Sequence, residues 1–150
     1  MKLRTISAAA IALVSGLLLS NSHVGRVYAD DQHDRACSTK TLHGSYGFYR
    51  SGTTTSTGPL TAVGVGFYDG NGNVTATQTI SRNGVFTLDQ TTVGQYEVDA
   101  DCTGRGFLNG VQISRTVIVD GGKEFYLLSM VAGNAVFGVA KKIHSSDDDR

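Results

Sequence analysis

Tight reversals punctuate the chain at short intervals. Asp69-Gly70-Asn71-Gly72-Asn73, Asn83-Gly84, Asp101-Cys102-Thr103-Gly104, Asp120-Gly121-Gly122 and Gly133-Asn134 each separate two short runs of apolar residues. Gly reaches positive φ without steric cost and Asn and Asp tolerate it, so such clusters are turn chemistry. Asn83-Gly84 is the strongest two-residue hairpin signal of the set. The intervening runs lack helical periodicity and are rich in Val, Thr and aromatics, the residues that suit a pleated surface. They read as strands over Ser45–Arg50, Thr61–Tyr68, Val74–Arg82, a return beginning at Val85–Leu88, then Gln95–Asp99, Gly106–Val111, Ile113–Val119, Glu124–Val131 and Ala135–Ile143. Ser51–Pro59 (SGTTTSTGP) reads as a polar loop.

The fold class is therefore all-β, with about eight short strands at the spacing of a sandwich or barrel. Short links make successive strands neighbours. An open meander of this kind exposes two edges, and closure removes both. The expected fold is a single up-and-down antiparallel β-barrel. A two-sheet β-sandwich is the alternative, since strand register is not readable from the residues.

The ends of the chain bear on compartment. Lys2 and Arg4 precede an uncharged, mostly apolar run, Ile6–Leu19, and small residues recur at Val27-Tyr28-Ala29. This is the pattern of a signal peptide cut after Ala29, and the run falls short of the about 20 residues that span a bilayer. The organisation expected is a signal peptide at 1–29, a flexible start at 30–36, a barrel domain at 37–143 and a disordered acidic tail at 144–150, with a secreted or periplasmic location. No later segment is expected to insert in a membrane. Lys2, Arg4 and Arg26 leave with the leader, so the remaining 121 residues carry ten basic and thirteen acidic side chains, a net charge of −3. That balance gives no electrostatic case for nucleic acid. Cys37 and Cys102 both remain. In an exported chain two cysteines form one disulfide in the simplest case, with a reactive thiol or a metal ligand as the alternatives.

Three phrases stand together: Cys37-Ser-Thr-Lys-Thr-Leu42-His-Gly44-Ser-Tyr46-Gly-Phe48, then Ala62-Val63-Gly64 leading to Phe67-Tyr68-Asp69-Gly70-Asn71-Gly72-Asn73, and Gly94-Gln-Tyr96-Glu-Val98-Asp-Ala-Asp101-Cys102-Thr103-Gly104. Together they resemble a group of small exported bacterial proteins similar to calycin-like barrels of the allene-oxide-cyclase and dirigent type. The resemblance covers Cys37 to Lys141. It implies a barrel with paired cysteines and transfers no active site, because a fold does not fix a function.

Few residues point to chemistry. Asp69-x-Asn71-x-Asn73 copies the start of a calcium loop, but the Gly and bidentate Glu such a loop needs are replaced by Val74 and Ile80. A Gly/Asn-rich turn explains the phrase, and no metal or cofactor is expected. The histidines are scattered, and the two glutamates, Glu97 and Glu124, cannot be paired from sequence. The informative positions are polar residues within apolar faces. Gln78 shares a strand face with Val74, Ala76 and Ile80, and Arg115 shares one with Val111, Ile113, Val117 and Val119. If those faces point inward, Gln78, Arg115 and Tyr46 are candidate ligand-orienting groups in a largely apolar lumen, the usual make-up of a small-molecule site. The expected function is non-enzymatic binding of a small apolar ligand, or a structural envelope or extracellular role. A cyclase- or isomerase-like enzyme that confines its substrate is one alternative, and a surface-interaction protein is another. The last two strands are apolar on both faces, so a second subunit is an expected cover for the outer one.

Overall fold

The computed structural model describes residues 36–143. The expected signal peptide, nearly all of the 30–36 start and the acidic tail lie outside the described residues. Eight antiparallel strands follow one another around a closed barrel: β1 (His43–Thr54), β2 (Gly58–Asp69), β3 (Asn73–Arg82), β4 (Val85–Val98), β5 (Thr103–Leu108), β6 (Val111–Val119), β7 (Glu124–Ser129) and β8 (Asn134–Lys142). β8 returns to pair with β1, Tyr46 opposite Lys142 and Thr54 opposite Asn134. The architecture is the up-and-down barrel expected, not the sandwich.

Several element bounds differ from the sequence reading, each for a local reason. The polar segment Ser51–Pro59 is mostly strand: β1 runs on to Thr54, only Thr55–Thr57 turn, and β2 begins at Gly58. Thr favours the pleated surface as much as Val does. Gly106–Val111 is not one strand. Asn109 and Gly110 take φ of 51° and 76°, a hairpin turn between β5 and β6. Asn83-Gly84 turns the same way, with φ of 48° and 83°. Val85–Leu88 and Gln95–Asp99 are two ends of one long strand, β4. It bends where the pairing steps from Gln78–Gln90 to Ile80–Thr87 and Asp89 adopts a φ of 49°.

A second bulge decides where the β6 side chains point. Gly106 pairs with Ser114 but Phe107 pairs with Gln112, so Ile113 is an extra residue on β6. An extra residue reverses the alternation beyond it. Ser114, Thr116 and Ile118 therefore face inward, while Arg115 and Val117 lie exposed on the outer wall.

The barrel is stoppered at one end. A short 3₁₀ turn, Thr39–Thr41, and Leu42 cross beneath the strands, and Leu42 packs with Tyr46, Tyr96, Ile118, Phe125 and Ala140. Tyr96 Oη donates to the Leu42 carbonyl at 2.6 Å and accepts from the Gly70 amide at 3.0 Å. Tyr46 Oη donates to the Gly122 carbonyl. Cys37 is joined to Cys102 across 65 residues, with Cα atoms 4.9 Å apart. This disulfide, with the Cys37 amide bonded to Ala100 at 3.1 Å, fastens the incoming segment to the β4–β5 turn.

Candidate functional site

Above the stopper the barrel encloses a cavity of about 380 Å³, near the lower end of the range for small-molecule sites. Its floor is aromatic. Tyr68 stands edge-on to Tyr46, Tyr96 and Phe125, with ring centroids 5.0 to 5.5 Å apart, the arrangement that ring quadrupoles favour. The Tyr96 hydroxyl is engaged by the backbone of the stopper and that of Tyr46 by Gly122 in the β6–β7 link, whereas Tyr68 lines the cavity without such a tie among the described residues. Burial raises the pKa of all three phenols, so they stay neutral at any physiological pH.

The cavity continues upward between Phe48, Ala76, Leu127 and Val136 toward the end carrying the β3–β4 and β5–β6 hairpins. One side of its wall is unsealed. β4 pairs with β5 only over Gln95–Val98, so Val85–Gly94 has no ladder partner on that side. Thr92 and Gly94 on one lip and Phe107 and Leu108 on the other line the cavity, which makes this gap part of its mouth.

The polar groups gather in the upper half. Tyr46, Phe48 and Arg50 alternate along the inner face of β1, and Gln78, Ile80 and Arg82 along that of β3. Arg50 Nη2 donates to Gln78 Oε1 at 2.8 Å. The strand between them, β2, presents only Ala62 and Gly64 at this level. A Cβ on Gly64 would sit 2.8 Å from Gln78 Cα, and one on Gly138 would sit 2.8 Å from Arg50 Cβ. The two glycines make room for the pair. Burial lowers the Arg50 pKa, and the neighbouring positive charge of Arg82 lowers it further. Arg50 Nε is buried with no hydrogen-bond partner.

The structure thus brings two of the sequence candidates, Gln78 and Tyr46, to one cavity and places the third elsewhere. Arg115 is not in the lumen: the Ile113 bulge turns it outward, opposite Arg105 on β5 and Leu128 on β7. Glu97 and Asp99 are paired with Arg105 at 3.2 and 2.9 Å. Sequence reasoning missed the three arginines that line the cavity, Arg50, Arg82 and the ion-paired Arg105. The signal of the first two was present, since Arg50 follows Tyr46 and Phe48 at two-residue spacing and Arg82 follows Gln78 and Ile80.

The Asp69 carboxylate is committed to its own turn. Its Oδ1 accepts from the Asn71 and Asn73 amides at 2.7 and 2.9 Å, and its Oδ2 accepts from Asn73 Nδ2 at 2.7 Å. No family model, no curated protein and no solved structure matches the chain, so the resemblance to calycin-like exported proteins reaches, in what is shown, as far as the eight-stranded barrel.

Proposed function

We propose that this chain is a ligand-binding barrel whose lumen receives one small molecule with a largely apolar body. The observation that carries the reading is the cavity itself: stoppered below, open above, floored by aromatic rings and edged by a few polar side chains. Such a lining buries apolar ligand surface, which supplies affinity, while a few fixed polar groups set orientation. Arg50, Gln78 and Arg82, beside the cavity's waist, supply hydrogen bonds and charge that orient a bound molecule.

The disulfide fits an oxidising compartment, which supports an exported working place. The outer wall of β3 and β4 carries the exposed Thr75, Thr77 and Thr91. A barrel embedded in lipid needs an apolar band around its whole circumference, so this wall supports an aqueous setting.

Native mass spectrometry of protein purified from its own host, together with titration by the uncharged fluorophore N-phenylnaphthylamine, tests the reading. The expected result is a retained small molecule or saturable probe binding, lost when Ala76→Phe fills the lumen of a still-folded barrel. Absence of any saturable binding by the unaltered protein would reject it.

A further inference from the structure

The lumen contains an arginine, Arg50, that forms no ion pair among the described residues. Arg50 spends one N–H on the neutral amide oxygen of Gln78, and its Nε is buried without a partner. Arg82 lines the same stretch of wall and adds a second charge of the same sign. Among the described residues the ion pairs lie elsewhere: Arg105 with Glu97 and Asp99, and Lys141 with Glu124. Arg105 also has a buried Nε without a partner, but its guanidinium is already neutralised by two carboxylates.

Arg50 is half-buried and its Nε wholly so, and a buried polar atom left without a partner is rare in native proteins and calls for a reason. The fold makes specific room for this one. Gly64 and Gly138 clear the space that Arg50 and Gln78 occupy, and Gln78 fixes one edge of the guanidinium while its remaining N–H groups stay available. A planar fork of N–H donors in a low-dielectric wall is the group that best matches a carboxylate.

We propose that the ligand of this cavity is an amphipathic carboxylate: its head is bound by Arg50 with Arg82 beside it, and its apolar body lies down the lumen toward Tyr46, Tyr68 and Phe125. This deepens the ligand-binding reading and rests on it. The ligand supplies the charge that the barrel lacks, and an uncharged molecule of the same shape leaves Arg50 as it stands. Arg50 and Gln78 thereby select for head-group charge, and the aromatic floor selects for an apolar tail.

Displacement of N-phenylnaphthylamine by decanoate, decanol and decylamine separates the two levels of the argument. The unaltered protein is expected to bind decanoate about tenfold or more tightly than decanol, the scale of one charge-assisted hydrogen-bonding contact, and decylamine most weakly. Arg50→Met should bring the decanoate-to-decanol ratio close to unity, and Arg82→Met should reduce it. Arg115→Met, on the outer wall, should leave it unchanged. Probe binding with equal displacement by decanoate and decanol overturns the carboxylate assignment while the lumen remains a binding site. So does a preference that survives both Arg50→Met and Arg82→Met. No probe binding at all overturns the lumen reading and this inference with it. The comparison of decanoate with decanol in the unaltered protein needs no variant, so it stands even if Arg50→Met fails to fold.

Discussion

Arg50 on β1 reaches past β2 to donate a 2.8 Å hydrogen bond to Gln78 on β3. The two residues are not neighbours in the sheet, and the bond exists because β2 offers only Ala62 and Gly64 beneath it. The pair is asymmetric. Gln78→Ala removes the one hydrogen-bond partner of a half-buried cation and is expected to cost about 2 kcal/mol, the scale of a hydrogen bond to a charged group. Arg50→Met removes the charge itself and should cost less than that or stabilise the barrel, as apolar replacement of buried charge often does. Urea melts of the two variants check the order. A larger loss for Arg50→Met would mean that the charge is compensated.

Arg115→Ala should change stability by no more than about 0.5 kcal/mol, as for an exposed side chain that anchors no network. The same melts measure it. A loss of several kcal/mol would place the side chain inside after all and contradict the Ile113 bulge.

The stopper depends on Tyr96. Tyr96→Phe leaves the Gly70 amide and the Leu42 carbonyl without their partner and should cost about 1 to 3 kcal/mol. Because burial raises the Tyr96 pKa above its unfolded value, the stability linked to this hydroxyl is fully present below about pH 10 and is lost as pH rises through the folded value. Thermal melts of the two proteins should therefore converge in alkali. A gap that stays constant to high pH would show that the hydroxyl is not the group responsible.

The Cys37–Cys102 bridge closes a 65-residue separation, for which the chain-entropy model gives about 4 kcal/mol. The doubly substituted Cys37→Ser, Cys102→Ser protein should melt lower by an amount of that order, and the unaltered protein should show no reactive thiol when denatured without reductant.

The outer wall carries its own unbroken apolar row. Val63, Tyr49, Val139, Tyr126 and Val117 are consecutive cross-strand partners over β2, β1, β8, β7 and β6. Gly47 leaves a shallow dent beside the row, lined by Tyr49, Val63, Val139 and Lys141. We propose a second copy of the chain as its cover, because two such rows pack face to face as aligned sheets do, and because Lys141 and Glu124, already paired at 3.1 Å, give the row a border of both signs. Light scattering should give a mass above one chain, and Tyr126→Ser with Val139→Ser should return it to one. A single-chain mass for the unaltered protein would reject the proposal.

Alternation and turn chemistry make the barrel legible from the residues alone, because each hairpin signal forces the next strand alongside the last. The lumen was harder to read. Gln78 could be placed among apolar neighbours because β3 keeps strict alternation from Val74 to Gln78. Arg115 could not, because one inserted residue, Ile113, reverses every later side chain on β6 and leaves no mark in composition. The Asn109-Gly110 turn carried the same signal as Asn83-Gly84 and was hidden by the apolar residues around it. Arg50 was overlooked for the opposite reason: it follows two aromatics on one face, where a charge reads as the end of a strand.

β1 is the first strand of the barrel and β8 the last, and they are hydrogen-bonded along most of their lengths. The ladder that seals the wall therefore joins residues about as far apart in the chain as the domain allows, and such long-range pairing is slow to form. No portion lacking its C-terminal strand can complete the structure. A chain emerging from its amino end must wait, with β1 unpaired on one edge, until Asn134–Lys142 arrives. The wall is complete only when β8 pairs with β1, so a molecule that fills the lumen would bind only the closed barrel and slow its reopening.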